Sequence, residues 1–158
     1  AAAMAGPWSP ELIQRLLAHR VALTPTLELF EIDRNPREPR EAAARDVALV
    51  QGQMAAYAQA GGEVLFGTDV GYTQAFSTAR EFALMQGAGF DFRAILASLT
   101  TAPARRFGFA SSKGRIERGM DADLVILSGD PAADIGALSQ VRKTIRGGVV
   151  IHGAAPAA

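Results

Sequence analysis

The stretch EVLFGTDVG, residues 63–71, sets the short apolar run Val64, Leu65 and Phe66 against an aspartate held between two glycines. A run of that length bounded by glycine reads as a short buried strand. Gly67 and Gly71 let the backbone turn sharply or approach another group closely. Asp69 then has two readings. It is a turn or helix-capping residue, a common use of aspartate, or a carboxylate delivered to the crevice beyond a parallel strand, where such sheets bind ligands.

The flanking sequence alternates. Ser9, Pro10 and Glu11 mark a helix start, with Leu12, Ile13, Leu16 and Leu17 as its apolar stripe and His19 near its end. VALTPTLELF (21–30) reads as a short strand broken by Pro25 and running into a loop, and RNPREPR (34–40) as a charged surface loop. Val47, Val50, Met54 and Tyr57 recur at spacings of three and four and predict a helix over residues 41–60, stopped by Gly61 and Gly62. Thr78 with Glu81 three residues on predicts a capping box for a helix bearing Phe82 and Met85. Asp91 opens a further helix with Phe92, Ile95, Leu96 and Leu99 on one face, and a last short helix follows from Thr100 to a stop at Gly108.

Beyond Ser112 the pattern turns to β. ADLVIL (122–127) reads as a buried strand, and residues 141–145 and 149–152 flank Gly147 and Gly148 as a hairpin. The expected organisation is therefore α/β over residues 1–110 and mostly β over 111–158. The first part supplies two clear strands and the second about three, too few for self-sufficient sheets. The chain reads as a piece of something larger, with open strand edges that favour aggregation or an oligomer.

Composition narrows the function. Sixteen basic and sixteen acidic residues cancel, so no bulk field draws the chain to nucleic acid or to an acidic membrane. There is no cysteine, which removes disulfide and thiolate chemistry. No apolar run approaches membrane-spanning length. The N-terminal AAAMAG lacks the charge and apolar core of a signal peptide, which favours a cytoplasmic location.

GTD after an apolar strand, a helix, LTTAPARRFGF (99–109), KGRIERGMDADLVIL (113–127), GDP (129–131) and TIRGGVVI (144–151) follow one another in a fixed order. In that order and spacing the chain resembles the C-terminal part of the amidohydrolase superfamily, nearest its imidazolonepropionase-like and dipeptidase-like branch. The resemblance implies a (β/α)₈ TIM-like barrel beside a small β-sandwich built from both chain ends. VALTPTLELF then matches barrel strand seven and EVLFGTD strand eight, with 111–158 as C-terminal sandwich strands. Asp69 matches the aspartate that ends strand eight, which in the family binds a divalent metal, usually zinc, and moves the proton of the attacking water. Tyr72 and Thr73, just beyond it, fall where a loop would border substrate, and Thr24 and Thr26 on the preceding strand are comparable. The implied chemistry is hydrolysis of a carbon–nitrogen bond in an amide, small dipeptide or cyclic amide by a metal-activated water.

The chain departs from the family where the other ligands belong. It has no His-x-His pair; His19 and His152 are its histidines, one at a helix end and one past the last strand. Lys113 and Lys143 lie in the β part, away from any barrel strand end. One aspartate does not hold a catalytic zinc, which takes about three protein ligands. The expectation is a C-terminal fragment, inert alone, holding no metal until the missing N-terminal barrel segment is supplied. The competing reading is a non-catalytic assembly module that pairs with another chain through its sheet edges. Asp121 and Asp123 in GMDADLVIL and Asp130 before Pro131 read as turn hydrogen-bonders, Arg105 and Arg106 as solvated or salt-bridged, and Trp8 as a packing residue.

Overall fold

A computed structural model describes residues 6–32, 40–74 and 76–153; the charged loop expected over 34–40 lies almost entirely outside the described residues. Two compact units emerge, Ala1–Asp91 and Phe92–Ala158, and the change of character expected near residue 110 falls within the second.

The first unit is a β–α–β arrangement. Helix α1 (Pro10–Ala18) begins as the sequence predicts, with the Ser9 hydroxyl accepting the Leu12 amide at 3.2 Å and Pro10 at the first position. It leads into β1 (Ala22–Leu23). The expected loop after β1 instead holds a single helical turn, α2 (Leu29–Ile32). The turn forms because Thr26, Leu27 and Glu28 present their carbonyls to the amides of Leu29, Phe30 and Glu31. Helix α3 (Arg40–Gln59) follows and returns the chain to β2 (Glu63–Val64), which pairs parallel to β1 in the register Ala22 to Glu63 and Leu23 to Val64. The Leu65 amide extends this pairing to the Leu23 carbonyl at 2.7 Å.

Tyr57 is the hinge of this packing. Its side chain is fully buried, its hydroxyl donates to the Val21 carbonyl at 2.5 Å, and Trp8 meets it edge-on at 6.3 Å between ring centroids. Gly62 has to be a glycine because any Cβ there would overlap the Tyr57 ring. Leu27, Met54 and Met85 are fully buried as well, with Val47, Val64 and Leu65 around them. After β2 the chain turns and enters α4 (Ala79–Gly87), whose Phe82 stacks at a tilt on Phe66, 4.8 Å away.

The second unit begins with α5 (Phe92–Leu99) and α6 (Thr101–Arg106), which pack on each other and bury Ile95, Ser98, Ala102 and Ala104. A three-stranded antiparallel sheet follows in the order β3 (Leu124–Leu127), β4 (Val141–Arg146), β5 (Val149–His152). Gly147 and Gly148 both take positive φ, 55° and 81°, as a two-residue hairpin turn of this kind requires. Asp123 accepts the Gly147 amide at 2.8 Å and also pairs with Lys113, which bonds Asp121 at 2.8 Å. Asp123 thus ties the start of β3 to the hairpin turn, and Lys113 bridges it to Asp121.

The burial expected for ADLVIL does not hold in this unit: Val125 is 56% exposed, and Val149 and Ile151 on β5 are 65% and 61% exposed. The pairing of Val125 with Thr144 and of Arg146 with Val149 puts Val125 and Val149 on one face of the sheet. No helix of the described residues is long and apolar enough to cross a membrane.

Candidate active site at the ends of the parallel strands

Because β1 and β2 run parallel, the segments that leave them emerge side by side at one end of the pair. Gly67 is the point of closest approach: a Cβ there would overlap the Thr24 methyl and lie 3.3 Å from Thr26 Cγ2. Two residues on, Asp69 adopts a left-handed backbone, φ 52°, and its carbonyl accepts the amides of Tyr72 and Thr73 at 3.0 and 3.1 Å. Gly71, at φ 105°, closes this turn. Aspartate tolerates the left-handed region better than most residues. Asp69 therefore makes a tight turn through its backbone, and the turn leaves the residue exposed beyond the strand end.

The neighbours expected to line substrate are placed apart from one another. The Tyr72 side chain stands out, 71% exposed, and Thr73 is buried at 7% with no hydrogen-bond partner for its hydroxyl. On the other strand end, Thr24 is exposed and Thr26 is buried with φ 47°, an unusual conformation for a β-branched residue.

The residue that sequence reasoning misplaced is Glu81. The capping box with Thr78 does not form: Thr78 makes no side-chain cap bond, and the Glu81 carboxylate reaches away from its own helix. Its two oxygens accept the amides of Leu27, at 2.8 Å, and Glu28, at 2.7 Å, and its side chain is fully buried. Burial pushes its pKa above the usual carboxylate range, the two amides oppose that shift, and the nearby charges of Glu28 and Asp69 add to it. The signal was present in the sequence, since Glu81 shares its helix face with buried Leu84 and Met85, three and four residues on.

Two more acids complete the surroundings. Glu28 is itself buried, with Oε2 unpartnered; its pKa is raised by burial first and by Glu31 second. Glu31 is ion-paired with Arg80, whose Nε donates at 2.7 Å, and that bond lowers the Glu31 pKa.

Among the described residues there is no group of three or more histidine, aspartate or glutamate side chains able to hold a metal ion. His19 caps the end of α1, His152 lies exposed in β5, and Lys113 is engaged with Asp121 and Asp123. The described donors thus do not by themselves fit a metal site. The exposed Asp69 carboxylate can meet a small molecule or a water from a turn closed by two backbone hydrogen bonds.

Known proteins give this geometry its context. The family model described as "Amidohydrolase family" matches residues 9–151. The amidohydrolase tasK of Hapsidospora irregularis is 46% identical over 43 residues, which is 27% of this chain and 4% of that protein. Among solved structures, a Xaa-Pro dipeptidase with methionine bound in its active site superposes with a TM-score of 0.77 at 25% identity. The alignment covers 92% of this chain and 38% of that one. A Bifidobacterium longum protein assigned as a prolidase gives 0.79 at 25% identity over 98% of this chain and 42% of its own. The ochratoxinase of A. niger shares the fold, with a TM-score of 0.73 at 20% identity, 92% of this chain and 35% of that one being covered. The chain thus spans about two fifths of the length of the solved structures it matches.

Proposed function

The chain belongs to the amidohydrolase family, and from that premise we propose that it is the C-terminal part of a hydrolase acting on a carbon–nitrogen bond. On this reading residues 1–110 supply the last two strand–helix units of a (β/α)₈ barrel and residues 111–158 supply sandwich strands. The remaining barrel comes from a segment outside this chain. The observation that carries the reading is the placement of Asp69, exposed in a tight turn beyond the C-terminal end of the second of two parallel strands. That is where barrel enzymes keep their reacting groups.

In this proposal Asp69 is the catalytic carboxylate: it accepts the proton of the attacking water and returns it to the leaving nitrogen. The family is generally metal-dependent, and Asp69 would also give one ligand to a divalent metal, zinc by the family's habit, which supplies the Lewis acidity. The other ligands have to come from outside the described residues. Tyr72, exposed in the same turn, is proposed to border the substrate, and Thr73 to support the turn from beneath. The class of substrate is a small amide, and the likeness to two prolidase-type structures favours a dipeptide.

The test is to express the chain joined to the barrel segment encoded upstream of it and to assay a dipeptide panel, Xaa-Pro substrates included. Asp69→Asn should lower kcat/KM by roughly 10²- to 10⁴-fold, the usual contribution of a general base. Unchanged turnover in that variant overturns the role given to Asp69. The exposed apolar residues Val125, Val149 and Ile151 favour a second reading, an assembly module that buries this face against another chain. Under it, Asp69→Asn leaves complex formation by this chain intact and no added segment brings activity.

A further inference from the structure

Two successive side chains at the start of α4 hold the two strand ends at once. Glu81 forks onto the amides of Leu27 and Glu28, beyond β1, and Phe82 stacks on Phe66, beyond β2. Arg80, one residue earlier, adds an ion pair to Glu31 on α2. The segment that Glu81 holds begins at Thr26, whose left-handed φ of 47° has to be maintained by its surroundings. That segment in turn packs on Gly67, through the Thr24 and Thr26 methyl groups. Gly67 is two residues before Asp69, so contacts run without a break from the Glu81 carboxylate to the turn that presents Asp69.

A fully buried carboxylate is a demanding way to tie down two amides. It has to be desolvated, and here it stands close to two other acids, Glu28 and Asp69. An apolar side chain there would avoid that desolvation but leave the Leu27 and Glu28 amides without this acceptor. A carboxylate, with an acceptor on each oxygen, is the side chain that can hold two consecutive amides in one fixed plane.

We infer that Glu81 is a positioning residue: its buried carboxylate, forked onto the Leu27 and Glu28 amides, fixes the segment after β1 against Gly67 and so sets where Asp69 stands. The value of that placement for hydrolysis rests on the proposed function, but the coupling itself is a property of this chain and is measurable without metal or substrate. Failure of the coupling and failure of the hydrolase reading are therefore separate results.

The experiment is amide NMR on this chain, comparing wild type with Glu81→Gln and Glu81→Asp. Gln keeps the volume and one acceptor but turns an NH₂ towards the second amide; Asp keeps the charge but falls short of the loop. Both should perturb the Leu27 and Glu28 amides. The decisive signals are the Tyr72 and Thr73 amides, which donate to the Asp69 carbonyl. Their resonances should move and their hydrogen exchange should quicken roughly tenfold or more, the ratio that 1.4 kcal/mol of opening free energy represents. Thr144 and Ile145, in the other unit, should stay as they are. Changes confined to Leu27 and Glu28 would make Glu81 a local brace and overturn the inference, as would no change at either site. If neither variant folds, native-state exchange of the wild type decides. Coupling requires that Leu27, Glu28, Tyr72 and Thr73 open in one step as denaturant is added, and independent opening of the two pairs overturns it.

Discussion

Gly67→Ala is the sharpest test of how the two strand ends are held. Gly67 is not among the residues with positive φ, so alanine meets no backbone strain there and the effect is purely one of space. The new Cβ overlaps the Thr24 methyl and sits 3.3 Å from the methyl of Thr26, which is buried in a conformation it cannot easily leave. Overpacking of this kind costs about 1–3 kcal/mol. Alanine also restricts the unfolded chain, which offsets about 0.4–1 kcal/mol. The net expectation, taking the middle of each range, is a destabilisation of about 1.3 kcal/mol, or roughly 5–10 °C in Tm for a unit of this size.

The assay is urea unfolding followed by fluorescence. The chain has one tryptophan, Trp8, and it packs edge-on against Tyr57, so emission reports the first unit. The cause is isolated by Thr24→Ser, which removes the overlapping methyl from an exposed side chain and should be nearly neutral alone. In the double variant, Thr24→Ser should recover most of the loss and leave a few tenths of a kcal/mol from the Thr26 contact, a coupling of about 1 kcal/mol. A neutral Gly67→Ala would refute the close approach at the strand ends. A loss that Thr24→Ser does not relieve would refute the identity of the contact.

Glu28→Gln tests the buried acid with an unpartnered oxygen. The folded pKa of Glu28 lies above its ordinary 4.5, through burial first and Glu31 second, so its protonated form is favoured in the fold and its contribution to stability is whole below about pH 4.5 and lost as pH rises through the folded value. The variant should match wild type near pH 4.5 and exceed it at pH 7; parallel stability–pH curves by chemical denaturation would refute this. Tyr57→Phe removes the hydroxyl that holds the Val21 carbonyl at 2.5 Å and keeps the ring against Trp8 and Gly62. A loss of about 1–2 kcal/mol is expected from the part-buried carbonyl left unpaired, and a midpoint unchanged in urea would show that water replaces the bond without loss.

Local chemistry made much of this legible. The Ser9 cap and Pro10 gave the start of α1, the three-and-four spacing gave α3, and the paired glycines gave the β4–β5 hairpin, because each signal acts within a few residues. The parallel pairing of β1 with β2 was expected from the alternation of elements, and a turn at Asp69 from the glycines around it. What failed depended on partners distant in sequence. Glu81 satisfies a local capping rule perfectly well, yet its carboxylate goes to amides more than fifty positions away, since α4 is pinned by Phe82 with Glu81 turned inward. ADLVIL has the composition of a buried strand, and its Val125 is exposed because burial belongs to whatever lies opposite a face, which the strand itself does not encode.

Glu81 also explains how so small a sheet can hold the Asp69 turn in place. Two strands of two residues each fix little by their ladder, and a bare pair of that length is marginal in water. The register is instead carried past the ladder: first by the Leu65 amide on the Leu23 carbonyl, then by the glycine-to-methyl contact at Gly67, and last by the carboxylate fork of Glu81. Along the chain the second tie lies nearer to Asp69 than the first. The first two link the strand segments to each other, and the third links one of them to the helix that leaves the Asp69 turn. A loop held at both ends and braced across its middle can keep a left-handed aspartate in place, where a loop anchored by a two-residue ladder alone would relax it. On this logic the strand ends, rather than the strands, are the rigid element of the first unit, and substitutions at Gly67 and Glu81 should disturb the Asp69 turn more than substitutions within β1 or β2.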